Sequence, residues 1–111
     1  MRTFTMTEEL SFDFLADELS GKAMTLGKLG TRLKFVFEGE GQVHIDATGD
    51  TPVISRDDAE ADITVTAPLK VWLDLRSKKL APHVAAMTRK IKIKGDIGKG
   101  MKLAPRIMAV L

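Results

Sequence analysis

The feature that most constrains this chain is strict alternation. In Arg89-Lys90-Ile91-Lys92-Ile93-Lys94, the two isoleucines share one parity and Lys90, Lys92 and Lys94 the other. Side chains of a strand point alternately to opposite faces, so the run is a strand with one apolar and one charged side. Three upstream segments repeat the pattern. Arg32 to Glu38 places Leu33, Phe35 and Phe37 on one face. Gln42 to Thr48 places Val43, Ile45 and Ala47 inward, with His44 and Asp46 outward. Ala61 to Thr66 aligns Ala61, Ile63 and Val65. A sheet made of such strands has one face to bury, and the rest of the chain has to cover it.

The cover is helical. Thr5 to Gly21 reads as a helix with an apolar stripe through Leu10, Phe14, Leu15 and Leu19, Phe12 lying off the stripe. Thr66-Ala67-Pro68 opens a second helix, since proline suits the first turn. Leu69, Trp72, Leu73 and Arg76 follow at helical spacing, with Val71 and Leu75 widening the stripe. Leu80 to Thr88 forms a short third helix with Val84 and Met87 facing inward. After Gly95-Asp96 a last helix carries Ile97, Met101, Ala104 and Met108, and Pro105 is expected to kink or restart it. Glu38-Gly39-Glu40-Gly41 is a hairpin connection, and Val53 to Arg56 a short extra strand. The expected fold is α+β: a five-stranded, mainly antiparallel sheet with helices covering one face. At 111 residues and 44% hydrophobic content, residues 1–111 suit a single domain with its own core.

Catalytic chemistry is hard to assemble from these residues. There is no cysteine, which excludes disulfides and thiolate sites. His44 and His83 are far apart and fit no metal spacing. Asp57 to Asp62 is acidic but lacks the ligand spacing and turn glycine of a calcium loop. Gly95-Asp96-Ile97-Gly98-Lys99-Gly100 matches neither the phosphate-loop nor the dinucleotide spacing. No catalytic residue, metal site or cofactor is expected. The N-terminus has no secretory h-region, and no apolar run approaches the roughly 20 residues of a membrane span. A soluble cytoplasmic protein is the expectation. Charge is uneven: from Arg76 to Arg106 the single acid is Asp96, among ten Lys and Arg. Such a surface is either solvated or attracted to anions. It has no interleaved aromatics for base stacking, so nucleic acid is not an expected partner.

What remains is apolar surface. The sheet offers Phe35, Phe37, Val43, Ile45, Ile63, Val65, Ile91 and Ile93. The helices offer Leu69, Trp72, Leu73, Val84, Met87, Met101 and Met108. Periodicity alone does not separate a filled core from a cavity.

The order of certain residues is more specific. Lys34-Phe35-Val36-Phe37 precedes Gly39-Glu40-Gly41 and a strand ending Ile45-Asp46. Ala61-Asp62-Ile63-Thr64-Val65-Thr66, the Leu69–Leu75 helix, Leu80-Ala81-Pro82 and Met87 follow. Lys90-Ile91-Lys92-Ile93-Lys94-Gly95-Asp96 and Met101-Lys102-Leu103 close the set. Over residues 29 to 104 the chain resembles the lipid-binding domain of the sterol carrier protein 2 family, in its bacterial form. The resemblance implies a hydrophobic tunnel between sheet and helices, lined by the fifteen residues just named. It implies no enzyme activity and no cofactor. The ligand would be a sterol, an acyl chain, an isoprenoid or a quinone precursor. A membrane surface, anionic here, and a lipid-modifying enzyme are the implied partners. The family usually has glycine where this chain has Lys78 and Arg89, so both turns are expected to be stiffer and more basic here. A competing reading is an interaction module with a filled core, docking to anionic membrane or an acidic partner through the basic C-terminal surface.

Overall fold

The computed structural model describes residues 12–26 and 28–109, apart from the side chains of Ile97, Ala104, Met108 and Ala109. The chain runs α1 (Phe12–Ala23), β1 (Thr31–Glu38), β2 (Gly41–Ala47), β3 (Val53–Ser55), β4 (Ile63–Pro68), α2 (Leu69–Arg76), α3 (Pro82–Met87), β5 (Lys92–Gly95) and α4 (Ile97–Ala109). The expected α+β class and the five strands are present. Thr5 to Ser11 of the expected first helix lie outside the described residues, and the helix runs two residues past Gly21.

The strands lie in the order β3-β2-β1-β4-β5. β1–β2, β2–β3 and β4–β5 are antiparallel. β1 and β4, at the centre, are parallel, with Phe35 opposite Val65. A parallel neighbour needs a crossover. Arg56 to Asp62 supplies it, passing over the face opposite the helices. Three side chains of that face hold it. Lys34 Nζ meets Asp58 Oδ1 at 2.7 Å, Gln42 Nε2 donates to the Arg56 carbonyl at 2.6 Å, and His44 Nε2 lies 2.8 Å from the Glu60 carbonyl. His44 thus has the outward parity expected of it but is buried, because the crossover covers it.

The inner face is the core. Leu33, Phe35 and Phe37 of β1, Val43, Ile45 and Ala47 of β2, and Ile63, Val65 and Ala67 of β4 are all buried. Helix α1 lays Leu15, Ala16, Leu19 and Ala23 on it. Phe12 is not idle: its ring meets Phe37 edge-on at 5.1 Å and packs over Gly41, where a β-carbon would come within 3 Å of the ring and push it aside. Helix α2 contributes Trp72, stacked on Phe37 at 4.7 Å and edge-on to Phe35 at 5.9 Å. The buried indole N–H is satisfied, donating to the Ala67 carbonyl at 2.9 Å and the Val36 carbonyl at 3.2 Å. Arg76 then ties α2 to α1 by two bonds from Nε to the Glu18 carboxylate, at 2.9 and 3.1 Å.

Helices α2 and α3 end in the same way. After α2, Lys79 N–H bonds the Asp74 carbonyl and Lys78 N–H the Leu75 carbonyl. After α3, Lys90 N–H bonds the Ala85 carbonyl and Arg89 N–H the Ala86 carbonyl. These are paired Schellman caps, whose left-handed residue is usually glycine. Here it is Lys78 at φ 65° and Arg89 at φ 59°. The turns expected to be altered by the loss of glycine are therefore kept, in a conformation that L-residues adopt only at a cost.

Helix α4 runs unbroken through Pro105, so of the expected kink or restart the restart does not occur. Proline at 105 removes the hydrogen bond to the Met101 carbonyl. Met101 and Pro105 are both exposed, so that carbonyl lies on the side of the helix open to water.

Candidate functional site

The fifteen candidate residues separate into groups. Phe35, Phe37, Val43, Ile45, Ile63, Val65, Trp72 and Ile91 are buried, and Leu69 and Leu73 are half-buried against them. Phe35, Val43 and Ile45 are 0% exposed, so no space wide enough for a water touches them. Val84, Met87, Ile93 and Met101 are exposed, at 39%, 80%, 55% and 76%. The side chain of Met108 lies outside the described residues.

Three expectations are corrected here. Val84 and Met87 do not face inward: α3 has six residues and approaches the core through Ala85, which is fully buried and whose carbonyl accepts from Lys90 and Ile91. The small side chain sets the close contact, and its larger neighbours turn outward. Met101 is not on the inner stripe of α4, which passes through Gly100, Leu103 and buried Ile107. Ile93 does not share the burial of Ile91. It lies opposite Val65, on the inner face, but β5 is an edge strand and all four of its residues are exposed.

The four exposed apolar residues fall on consecutive elements, α3, β5 and α4. Local chemistry fixes how these connect. The second Schellman cap joins α3 to Ile91. Gly95, at φ 114°, turns the chain where a β-carbon would collide with the Asp62 carbonyl oxygen. Asp96 N–H donates to that same carbonyl at 2.9 Å, and the Asp96 carboxylate caps α4 by accepting from Lys99 N–H at 3.0 Å. Asp62 also braces β1, accepting at Oδ2 from the backbone N–H of Arg32 (2.9 Å) and from buried Thr31 Oγ1 (3.1 Å). The Arg32 bond foremost, then Thr31 and the nearby cations, hold its carboxyl below the usual aspartate range against the opposing effect of burial.

Charge is interleaved along the chain with the exposed apolar groups. Beyond Arg76, which Glu18 neutralises, nine Lys and Arg lie between Ser77 and Ile107, all of them exposed. None forms an ion pair with a described residue. The one acid among them, Asp96, is engaged as a helix cap.

Among the described residues no group of three or more His, Asp or Glu is placed to hold a metal. No helix among them is long and apolar enough to cross a membrane. His83 is exposed on α3, and His44 is taken up by the crossover. A pocket of about 30 Å³, room for a water, lies between Leu15, Leu19, Phe37, Trp72 and the Glu18–Arg76 pair. An open cleft of about 360 Å³ lies between α1 and β3, lined by Asp17, Ser20, Met24, Ile54 and Arg56. Sequence reasoning missed this cleft. Its walls come from segments far apart in the chain, so no local motif marks it.

Comparison with known proteins bears on what an inner face of this kind serves. The curated "Non-specific lipid-transfer protein-like 1" of Caenorhabditis elegans is 27% identical over 100 residues, covering 86% of this chain and 85% of that one. The crystal structure of Sterol Carrier Protein 2 Like 2 from Aedes aegypti superposes with a TM-score of 0.66 at 20% identity, covering 86% of this chain and 98% of the other. A solution structure of that mosquito protein in palmitated form gives 0.63 at 22% identity, with coverages of 87% and 94%. The mixed five-stranded sheet with its helical cover is thus the fold of these proteins. A model of the SCP-2 sterol transfer family matches residues 13–107, nearly the whole described domain, and the chain belongs to that family.

Proposed function

We propose that this protein is a non-catalytic carrier that holds the apolar part of a lipid against the inner face of its sheet at the β5 edge. The observation that carries this reading is the exposure of Val84, Met87, Ile93 and Met101 on three consecutive elements beside a dense core. An acyl chain, isoprenoid, quinone precursor or sterol laid there would cover them, each buried methylene being worth about 0.8 kcal/mol. Two of the four are methionines, whose flexible thioethers suit one surface to several ligand shapes. The centre of the sheet is already packed, so the ligand sits beside Phe35 and Val43 rather than in their place. A carrier of this kind hands its cargo to a membrane or to a lipid-modifying enzyme.

The test is uptake of a fluorescent fatty acid, with native mass spectrometry of the gently purified protein. The wild type should bind it. Ile93→Asp should weaken binding at least tenfold while lowering the melting temperature only slightly, since Ile93 is 55% exposed on an edge strand in the free protein. A clean mass with no uptake by the wild type refutes the reading. The burial of Phe35, Val43 and Ile45 favours one alternative, an interaction module with a filled core acting through its basic C-terminal surface. It predicts no uptake and wild-type behaviour of Ile93→Asp.

A further inference from the structure

We propose that the segment from α3 to α4 docks edge-on against an anionic lipid bilayer, with the free edge of β5 toward the headgroups. This deepens the carrier reading and rests on it, since the same segment carries the candidate ligand surface.

The orientation follows from strand geometry. Ile93 lies on the inner face, opposite Val65, whereas Lys92 and Lys94 lie opposite Thr66 and Thr64 on the outer face. No approach to either face of the sheet brings all three to one surface; an approach along the edge does. Among the described residues β5 has a single neighbour, β4, and its outer edge is unpaired. The edge-facing N–H groups of such a strand are free to donate, and lipid phosphate oxygens accept. Met101, with Lys99 and Lys102, adds a second exposed apolar group between cations on α4.

The composition selects a bilayer over an acidic protein. Of the nine cations that form no ion pair with a described residue, seven are Lys and two are Arg, and no Phe, Tyr or Trp follows Trp72. Protein–protein interfaces favour Arg, Met and aromatics and are poor in Lys, so it is the run of lysines, not the methionines, that separates the two. A lysine presents a compact charge on a flexible stem, suited to a mobile sheet of phosphates while its stem lies along apolar groups. Proteins that lie at the headgroup boundary set large apolar side chains among Lys and Arg, and here Met101 and Ile93 take the apolar positions.

The experiment is flotation with vesicles of phosphatidylcholine, with and without phosphatidylglycerol, at low and high salt. The wild type should float with the anionic vesicles at low salt and not with neutral ones. A lysine near an anionic surface contributes about fivefold to partitioning, so Lys92→Glu with Lys94→Glu should lower it about 25-fold or more. Lys28→Glu, at the β2 side of the sheet, should change little. Met101→Trp should report insertion through quenching of its new indole by brominated lipid, whereas buried Trp72 should not be quenched. Binding to polyglutamate as tight as to vesicles, or flotation unaffected by the Lys92/Lys94 reversal, would overturn the proposal. So would a Met101→Trp variant whose added fluorescence brominated lipid leaves unquenched. The fatty-acid uptake assay is run in parallel without vesicles. Flotation lost with uptake intact removes the docking face alone, and uptake lost with flotation intact removes the carrier reading alone.

Discussion

Replacing Lys78 and Arg89 by glycine should stabilise this protein. Both occupy the left-handed position of a Schellman cap, at φ 65° and 59°. An L-residue held there is disfavoured by about 1–2 kcal/mol, because its β-carbon crowds the following carbonyl. Glycine removes that strain but gives the unfolded chain more freedom, which returns about 0.4–1 kcal/mol. The balance is a gain of about 0.5–1 kcal/mol at each site. The two caps close different helices through different carbonyls, so the gains should add, to about 1–2 kcal/mol in the double variant. At about 4 °C or more per kcal/mol for a domain of this size, the melting temperature should rise by roughly 4–8 °C. Urea unfolding followed by fluorescence suits the measurement, because the single tryptophan is Trp72, buried against Phe37. The decisive control is alanine at the same positions. Alanine removes the charge but keeps the β-carbon, so Lys78→Ala and Arg89→Ala should lie within about 0.5 kcal/mol of wild type. If alanine stabilises as much as glycine, relief of repulsion in a crowded basic segment is the cause and the backbone argument fails. Neutral or destabilised glycine variants refute it outright.

Three further outcomes are expected. Gly95→Ala should cost more than about 2 kcal/mol, since the new β-carbon meets the Asp62 carbonyl oxygen at a backbone angle alanine avoids; a urea melt matching wild type would contradict this. Trp72→Phe should cost about 1–3 kcal/mol, because the Ala67 and Val36 carbonyls lose their buried donor, with loss of the stacking on Phe37 as a smaller part; circular dichroism melts read it. Asp46, Asp58 and Asp62 are all held below the usual aspartate range, by hydrogen bonds first in each case. A carboxylate with a lower affinity for protons in the folded state than in the unfolded state stabilises the fold fully above the unfolded value, near 3.9. That contribution is lost as pH falls through the lower folded value. Urea midpoints should therefore drop below about pH 4, and Asp62→Asn should flatten the drop; an equally steep fall in that variant would remove Asp62 from the cause.

Particular residues show which parts of this molecule are legible in its sequence. The alternation of Leu33, Phe35 and Phe37 with Arg32, Lys34 and Val36 locates β1 within a residue, because a half-buried strand needs that period. Alternation carries no direction, so it does not show that β4 runs parallel to β1. The crossover is visible only as an acidic loop, and with it goes the burial of His44. Helical stripes are less informative, because a helix can roll until its best contact is made. On α3 small Ala85 wins that contact over Val84 and Met87, and on α4 Leu103 and Ile107 face inward in place of Met101. The glycine positions of the family are the most telling signal. They mark two left-handed turns that this chain keeps with lysine and arginine. The candidate ligand surface is half legible: the sequence names its residues, but which of them lie in the packed centre depends on how far the helices cover an edge strand.

The central parallel pair has a consequence for the order in which this molecule assembles. β1, β2 and β3 form a meander of neighbours in sequence, closed by short turns and quick to form. β4 can join only after the crossover has been fixed, and β5 is held by β4 alone. The chain is therefore built in two tiers, and the tier carrying Ile93 and Met101 is the outer one. Opening of β5 away from β4 leaves the other four strands intact, so amide exchange in Lys92–Gly95 should proceed through partial openings, while Leu33, Phe35 and Val43 exchange only on global unfolding. A surface that separates from its neighbour without dissolving the core can admit a bulky guest at a small fraction of the free energy of unfolding.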